Sequence, residues 1–252
     1  MNWSRIHLIL QVVRYLIPTL YFNLKYLPFS QAVKLPIILY KPHLYKMRGR
    51  IVIEGGPIKT GMITLGFPRI NLYSNSGFTY ENFGGTIIFS GRIDIGNASA
   101  LSIGSKGVLK IGCNFRANTS LKLVCYKNVM IGSNVRFGWD CVLMDTDLHV
   151  LSYLDEDKNI VARSRGCAPI VIGDGVWIGS NTFILKKSRV PDKCVIGAKS
   201  LVTGHSQMDS YNLYCGVPVG LSRYNVYWDF ENDTVESVSY THLRAHETTL
   251  HL

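Results

Sequence analysis

From Ile172 to His205 the chain repeats every six residues without a break. Ile172, Ile178, Ile184, Val190, Ile196 and Val202 each open a hexad, and Val176, Thr182, Ser188, Cys194 and Ser200 supply a short residue four places on. Gly follows the opening aliphatic at Gly173, Gly179 and Gly197. A period of six fits neither an α-helix nor a hairpin. It fits a parallel β-helix in which each repeat contributes one short strand and one corner. Three hexads then close a triangular coil, with a rise of roughly 4.8 Å per coil set by strand spacing. Each short residue stands two before the next opening aliphatic, so both point to one side of a strand, into the prism.

The same pattern extends toward the N-terminus with interruptions. Ile93/Ile95, Leu101/Ile103 and Leu109/Ile111 alternate at a spacing of eight, as hexads with two extra corner residues; regular hexads run from Ile111 through Ala117 to Leu123 and resume at Ile131, Phe137 and Leu143. Earlier β-like runs at 51–53, 63–65, 70–72 and 87–89, separated by Gly and Pro, predict irregular first coils. Residues 50–222 are therefore expected to form one all-β solenoid, preceded by an arm (1–49) with a helix over 3–26 and followed by a tail (223–252). Ser239–Leu252 carries neither hexads nor a core pattern and reads as non-native sequence.

One stretch cannot belong to the repeat. Continuing the inward parity from Cys141 and Leu143 would aim Asp145, Asp147 and His149 into an apolar interior. Burying two carboxylates there without partners costs on the order of several kcal/mol. The chain is expected to leave the coil near Asp145 and to project a loop over 145–169; a long loop that stacking does not require is usually functional. If extended, Asp147 and His149 share one face, so the carboxylate reaches an imidazole nitrogen, fixes the tautomer and favours the imidazolium. Asp145 competes for that role. His205, where the repeat ends, has no acid within two residues and reads as structural.

The formal charge of +10 is concentrated. Residues 1–53 hold no Asp or Glu but carry Arg5, Arg14, Lys25, Lys34, Lys41, Lys46, Arg48 and Arg50, and the remainder is nearly neutral. The apolar run before Pro18 is broken by Arg5 and Arg14, too short to span a bilayer and without a small-residue cleavage site. Two readings of the arm stay open: a cap on the first coil, or a basic amphipathic segment on an anionic membrane surface. The six cysteines show no CxxC pair, and Cys141 and Cys194 fall on inward positions, as expected in a reducing cytoplasm. His242 and His246 are spaced i,i+4 but lack a convincing third ligand, so no metal is expected.

These motifs resemble a known family. The hexads, the run Asp145–Thr146–Asp147–Leu148–His149, the stretch Val176–Trp177–Ile178–Gly179–Ser180, Val190–Pro191–Asp192 and Gly216–Val217–Pro218 are similar to the hexapeptide-repeat acyltransferases. Within them the chain looks like the maltose/galactoside O-acetyltransferase-like branch, which includes enzymes acting on capsular and exopolysaccharide sugars. The resemblance implies a left-handed parallel β-helix, a homotrimer with sites between protomers, and acetyl-CoA as co-substrate. It also implies a sugar or polysaccharide-precursor acceptor and no nucleic acid. Carried onto matching positions, it makes His149 the general base, Asp147 its orienting acid, and Asp145 or Trp139 acceptor contacts. Ser180, Ala198, Lys199 and Thr203 would meet the coenzyme; Trp177 would meet it or be buried between subunits. Arg223 would hold the terminal phosphate in place of the basic residue that the family often has where Gly220 stands. The implied setting is cytoplasmic, with or without peripheral membrane contact. Two other functions remain open: acetylation of an amino sugar, amino acid or antibiotic, and a non-catalytic trimeric scaffold.

Overall fold

A computed structural model describes residues 14–231. Three parallel sheets form the sides of a triangular prism. The first holds Ile37–Leu39, Ile63–Phe67, Ile93–Gly96, Phe115–Thr119, Arg136–Trp139, Trp177–Ile178, Val195–Ile196 and Leu213–Cys215, and ends with antiparallel Gly220–Arg223. The second begins at Pro42–Met47 and ends at Leu201–Val202; the third begins at Arg50–Ile53 and ends at Arg189–Val190. Each successive strand lies on the next side, so strands three apart in sequence pair in parallel. The expected three-sided parallel β-helix is the fold.

Its core is a set of ladders. On the first side Leu39, Leu65, Ile95, Ala117, Phe137, Ile178, Ile196 and Tyr214 stack in register. On the third, Ile53, Phe89, Ile111, Ile131, Ile172 and Val190 do the same. Every hexad-opening aliphatic from Ile172 to Val202 is buried, and so are Val176, Thr182, Ser188, Cys194 and Ser200. Burial of such side chains contributes about 1.5–3 kcal/mol each before conformational entropy is charged against it.

The corner between the first and second sides explains the sequence spacing. Ala98, Ser120, Asp140, Asn181 and Lys199 each take a positive φ there, between 55° and 62°. The N–H of each donates to the coil before it, as Asn181 does to the Trp139 carbonyl at 2.7 Å and Lys199 to that of Ser180 at 2.8 Å. The left-handed backbone costs about 1–2 kcal/mol at non-Gly residues, and the inter-coil bond offsets it. Coils also approach too closely for side chains at some positions. A Cβ on Gly96 would lie 1.7 Å from the Asn118 carbonyl oxygen.

Two early expectations change. Ile37 and Leu39 stack beneath Ile63 and Leu65, so coil structure starts inside the stretch assigned to the arm. Residues 70–72 form no strand, and Leu72 is exposed. The first-side slot of that coil is filled by Ile63–Phe67 and the second by Phe78–Asn82, so the intervening chain bulges outward. Asn97 holds this bulge, accepting the N–H groups of Ser76 and Gly77 and donating to the Ser74 carbonyl.

Chain on either side of the coils packs onto the prism. At the N-terminal end helix α1 (Leu16–Tyr26) lies on the edge strand Ile37–Leu39. Pro18 is tolerated in its first turn, and Pro28 forces Leu27 into an extended conformation that ends it. The face turned to the prism is partly polar. Asn23 is fully buried; its amide donates to the Ile37 carbonyl at 2.7 Å and accepts the Ile37 N–H at 3.2 Å, while Thr19 Oγ1 accepts the Leu39 N–H at 3.1 Å. The capping reading of the arm therefore holds over 16–26, and the predicted helix over 3–13 lies outside the described residues. At the other end residues 224–231, part of the expected tail, pack back on the coils, with Tyr227 against Tyr211 and Trp228 under the Arg136 guanidinium. Residues 239–252 lie outside the described residues.

Asn23→Ala should lower the unfolding free energy by about 2–4 kcal/mol, since the Ile37 N–H and carbonyl both lose a buried partner. Urea denaturation measures it, with Leu24→Ala on the exposed side of the same helix as a near-neutral control.

Candidate functional site

The repeat breaks where the sequence predicts, after Val142–Met144 on the second side. The cause differs from the expected one. Asp145 stays inside, with none of its surface exposed, and its carboxylate accepts the N–H groups of Tyr126, Lys127 and Asn128 at 2.7, 2.7 and 2.8 Å. Three donors satisfy it, so burial is not prohibitive. Asp145, expected to orient His149 or to meet an acceptor, is instead closed to solvent, and its carboxylate bonds to the backbone of the preceding corner.

The loop then folds on itself. Thr146 and Cys167 bridge its neck, the Asp147 N–H donates to the Gly166 carbonyl, and Ser152–Leu154 pairs antiparallel with Ile160–Arg163. Leu148, Val150, Leu151, Tyr153, Leu154, Ile160 and Val161 are all exposed on this hairpin and its base.

His149 is exposed at the loop base. The expected carboxylate–imidazole contact does not form. Leu148 takes φ 58°, a kink that breaks the extended geometry on which a shared face depended. The Asp147 carboxylate instead pairs with the Lys186 ammonium, which also donates to the Arg165 carbonyl at 3.2 Å. His149 Nδ1 lies 3.3 Å from the Asp147 carbonyl oxygen. A carbonyl only accepts, so this contact assigns the proton to Nδ1 and leaves Nε2 as the basic nitrogen. The tautomer is thus set by the backbone of Asp147, while its side chain ties the loop to the next coil through Lys186.

The remaining predicted residues fall on two edges of the prism, on its first sheet and at its C-terminal end. Trp139, Ser180, Ala198 and Lys199 line the corner between the first and second sides, where Ala198 and Lys199 are exposed. Ser180 is buried and its hydroxyl accepts the Trp139 N–H at 3.0 Å, a brace between coils. Trp177 is half-buried on the outer side of the first sheet, in register with Arg136 and Val195. Thr203 shares the second edge with His149 and Lys186, in a turn closed by Ser206. Beyond that turn a cleft of about 510 Å³ opens at the C-terminal end, lined by Arg189, Asp209, Asn212, Tyr214 and Tyr224 among others. Arg223 adjoins it on the reversed strand Gly220–Arg223.

Two contributors were not singled out from sequence. Lys186 occupies a corner of the first complete hexad run after the loop, a position visible in the repeat but with nothing to pair it to Asp147. Tyr73, from the outward bulge, donates to Asp140 Oδ2 at 2.5 Å and sets its ring 6.3 Å from that of Trp139. Burial, then the Asp140 carboxylate, pushes the Tyr73 phenol up to about 12. Among the described residues no group of three His, Cys, Asp or Glu side chains is placed to hold a metal ion.

No family model matches the chain. Among curated proteins it is 37% identical over 95 residues to the galactoside O-acetyltransferase of Escherichia coli (strain K12), covering 38% of this chain and 44% of that one. It is 34% identical over 105 residues to the galactoside O-acetyltransferase of Lactococcus lactis subsp. lactis (strain IL1403), covering 40% and 46%. An uncharacterized 24.8 kDa protein in the cps region of Klebsiella pneumoniae is 26% identical over 171 residues, 68% of this chain and 72% of that one. The matched stretches span less than half the length of either galactoside enzyme. The resemblance to hexapeptide-repeat acetyltransferases read from the motifs thus recurs as direct sequence similarity.

Thiol reactivity checks the geometry of the prism. Burial, with Asp145 beside it, pushes Cys125 up to about 12, and burial pushes Cys141 and Cys194 up to about 11. Raised values keep these thiols protonated at pH 8. Iodoacetamide on the native protein should therefore modify exposed Cys113 and Cys215 and spare those three, read by peptide mass spectrometry.

Proposed function

Starting from a chain similar to the hexapeptide-repeat acetyltransferases, we propose that it transfers an acetyl group from acetyl-CoA to a sugar hydroxyl, with His149 as general base. The acceptor would be a precursor or segment of a surface polysaccharide. The observation that carries this reading is the His149 imidazole, exposed at the base of the one long loop between regular coils and held with Nδ1 on the Asp147 carbonyl. Nε2 accepts the proton of the acceptor hydroxyl as its oxygen attacks the thioester carbonyl carbon. The C–S bond breaks, and the proton returns to the departing coenzyme sulfur. General base catalysis of this kind is worth about 10²–10⁴-fold, and the rest comes from holding two substrates together.

The division of the candidate residues supports a homotrimer. Within one chain the outer face of the second sheet separates the His149 edge from the edge bearing Trp139, Ala198 and Lys199. Side-by-side packing of three prisms would bring the first edge of one protomer to the second edge of its neighbour. The exposed apolar residues of the 145–169 loop, with Phe183 on the second sheet, suit such a seam. The sugar acceptor is supported by the two galactoside O-acetyltransferase relatives, and a surface polysaccharide by the relative from a cps region. Such chemistry belongs in the cytoplasm, where acetyl-CoA is made.

His149→Ala should lower kcat by about 10²–10⁴-fold while acetyl-CoA binding, measured by calorimetry, and the oligomeric mass stay unchanged. Undiminished turnover would remove the base assignment, and absence of acetyl-CoA binding to the unaltered protein would remove the enzyme reading. Lys186→Met should cost less, about tenfold in kcat, because it loosens the loop without removing the imidazole.

A further inference from the structure

Helix α1 carries apolar side chains on both of its sides. Its buried side carries Thr19, Phe22, Asn23 and Tyr26. Its outward side carries Leu16, Ile17, Leu20, Tyr21 and Leu24, and Ile17 is 79% exposed. Positions 17, 20, 21 and 24 follow the i, i+3, i+4, i+7 spacing of a single stripe. Phe29 (74% exposed) and Val33 extend the apolar surface past Pro28 into the single-turn helix Phe29–Ala32. A helix whose only task was to cap the first coil would turn Leu and Ile inward and Thr and Asn to water. Here Thr19 and Asn23 are needed on the strand edge, and the large aliphatics are left facing out.

The charge around this face is of one sign. Through residue 53 the chain has no acidic side chain, and Arg14, Lys25, Lys34, Lys46, Arg48 and Arg50 are all exposed in the cap or the first coil, at the same end of the prism. Lys25 flanks the stripe directly, and Lys34 follows Val33. No helix among the described residues is long and apolar enough to cross a membrane. An apolar stripe on a segment that carries cations and no acidic side chain matches a surface that is apolar beneath and anionic above, and a soluble protein partner would more commonly bring charges of both signs.

We propose that the outward side of α1, with Phe29 and Val33, is a lipid-docking face that seats the N-terminal end of the prism on an anionic bilayer. The two readings of the arm are then one device: the side bearing Thr19, Phe22, Asn23 and Tyr26 caps the first sheet, and the outward apolar side enters the headgroup region. This inference does not rest on the acetyl-transfer reading and is tested without substrate.

The test is flotation of the full chain with phosphatidylcholine vesicles, with and without phosphatidylglycerol, at low and high salt. The protein should float with the anionic vesicles, and high salt should weaken binding by about tenfold or more. The variant Ile17→Ser/Leu20→Ser/Leu24→Ser should lose about tenfold or more in partitioning with an unchanged melting curve, because all three side chains are exposed. Lys25→Glu/Lys34→Glu should lose a similar factor at low salt only. Equal binding to neutral vesicles would overturn the anionic preference. Failure to float, with the Ser variant changing oligomeric mass in light scattering, would overturn the proposal in favour of a second copy of the chain on this face. Failure to float with no change in mass would overturn it outright.

Discussion

A parallel prism of this width has room inside for one kind of group, and every other feature of the molecule answers to that constraint. Ladders such as Leu65–Ile95–Ala117–Phe137–Ile178 are buried along their whole length. A polar side chain reaching an inward position must either have all its hydrogen bonds made by protein or leave the stack. Asp145 takes the first course, with three backbone donors. The chain after it takes the second. The loop is thus anchored by a satisfied carboxylate at its root, and Lys186 on the next coil fixes its neck through Asp147. His149 owes its place to both contacts without sharing a side-chain bond with either acid.

The regular part of this molecule is legible from sequence because each inward position is tested by the same neighbours in every coil. Ile178, Ile184 and Ile196 could be assigned from spacing alone, and so could the small inward sites at Cys141 and Cys194. What was not legible depends on contacts between distant residues or on backbone geometry. The kink at Leu148 separates two side chains that alternation would put on one face. Lys186 and Asp147 meet only because coils stack, and Tyr73 reaches Asp140 across 67 positions by way of a bulge that the pattern at 70–72 disguised as a strand. The start of the first coil at Ile37 was hidden for a related reason: a three-residue strand carries little periodic signal.

The site shows how a repeat protein acquires chemistry without giving up its scaffold. The coils below the loop and above it remain in register, as Leu143 over Leu123 and under Ile184 demonstrates. The candidate residues at the loop and at the corners therefore sit outside an interior that does not change. Within one chain the outer face of the second sheet lies between the His149 edge and the edge bearing Trp139, Ala198 and Lys199.

Stacked parallel strands are open-ended by nature, since the last strand offers the next one the same hydrogen bonds. In this chain Thr19 and Asn23 occupy those bonds at one terminus of the stack, and the reversal from Leu213–Cys215 into Gly220–Arg223 occupies them at the other. On the first sheet, the bonds that the end strands Ile37–Leu39 and Leu213–Cys215 would offer the strand of another molecule are thus already used within the chain.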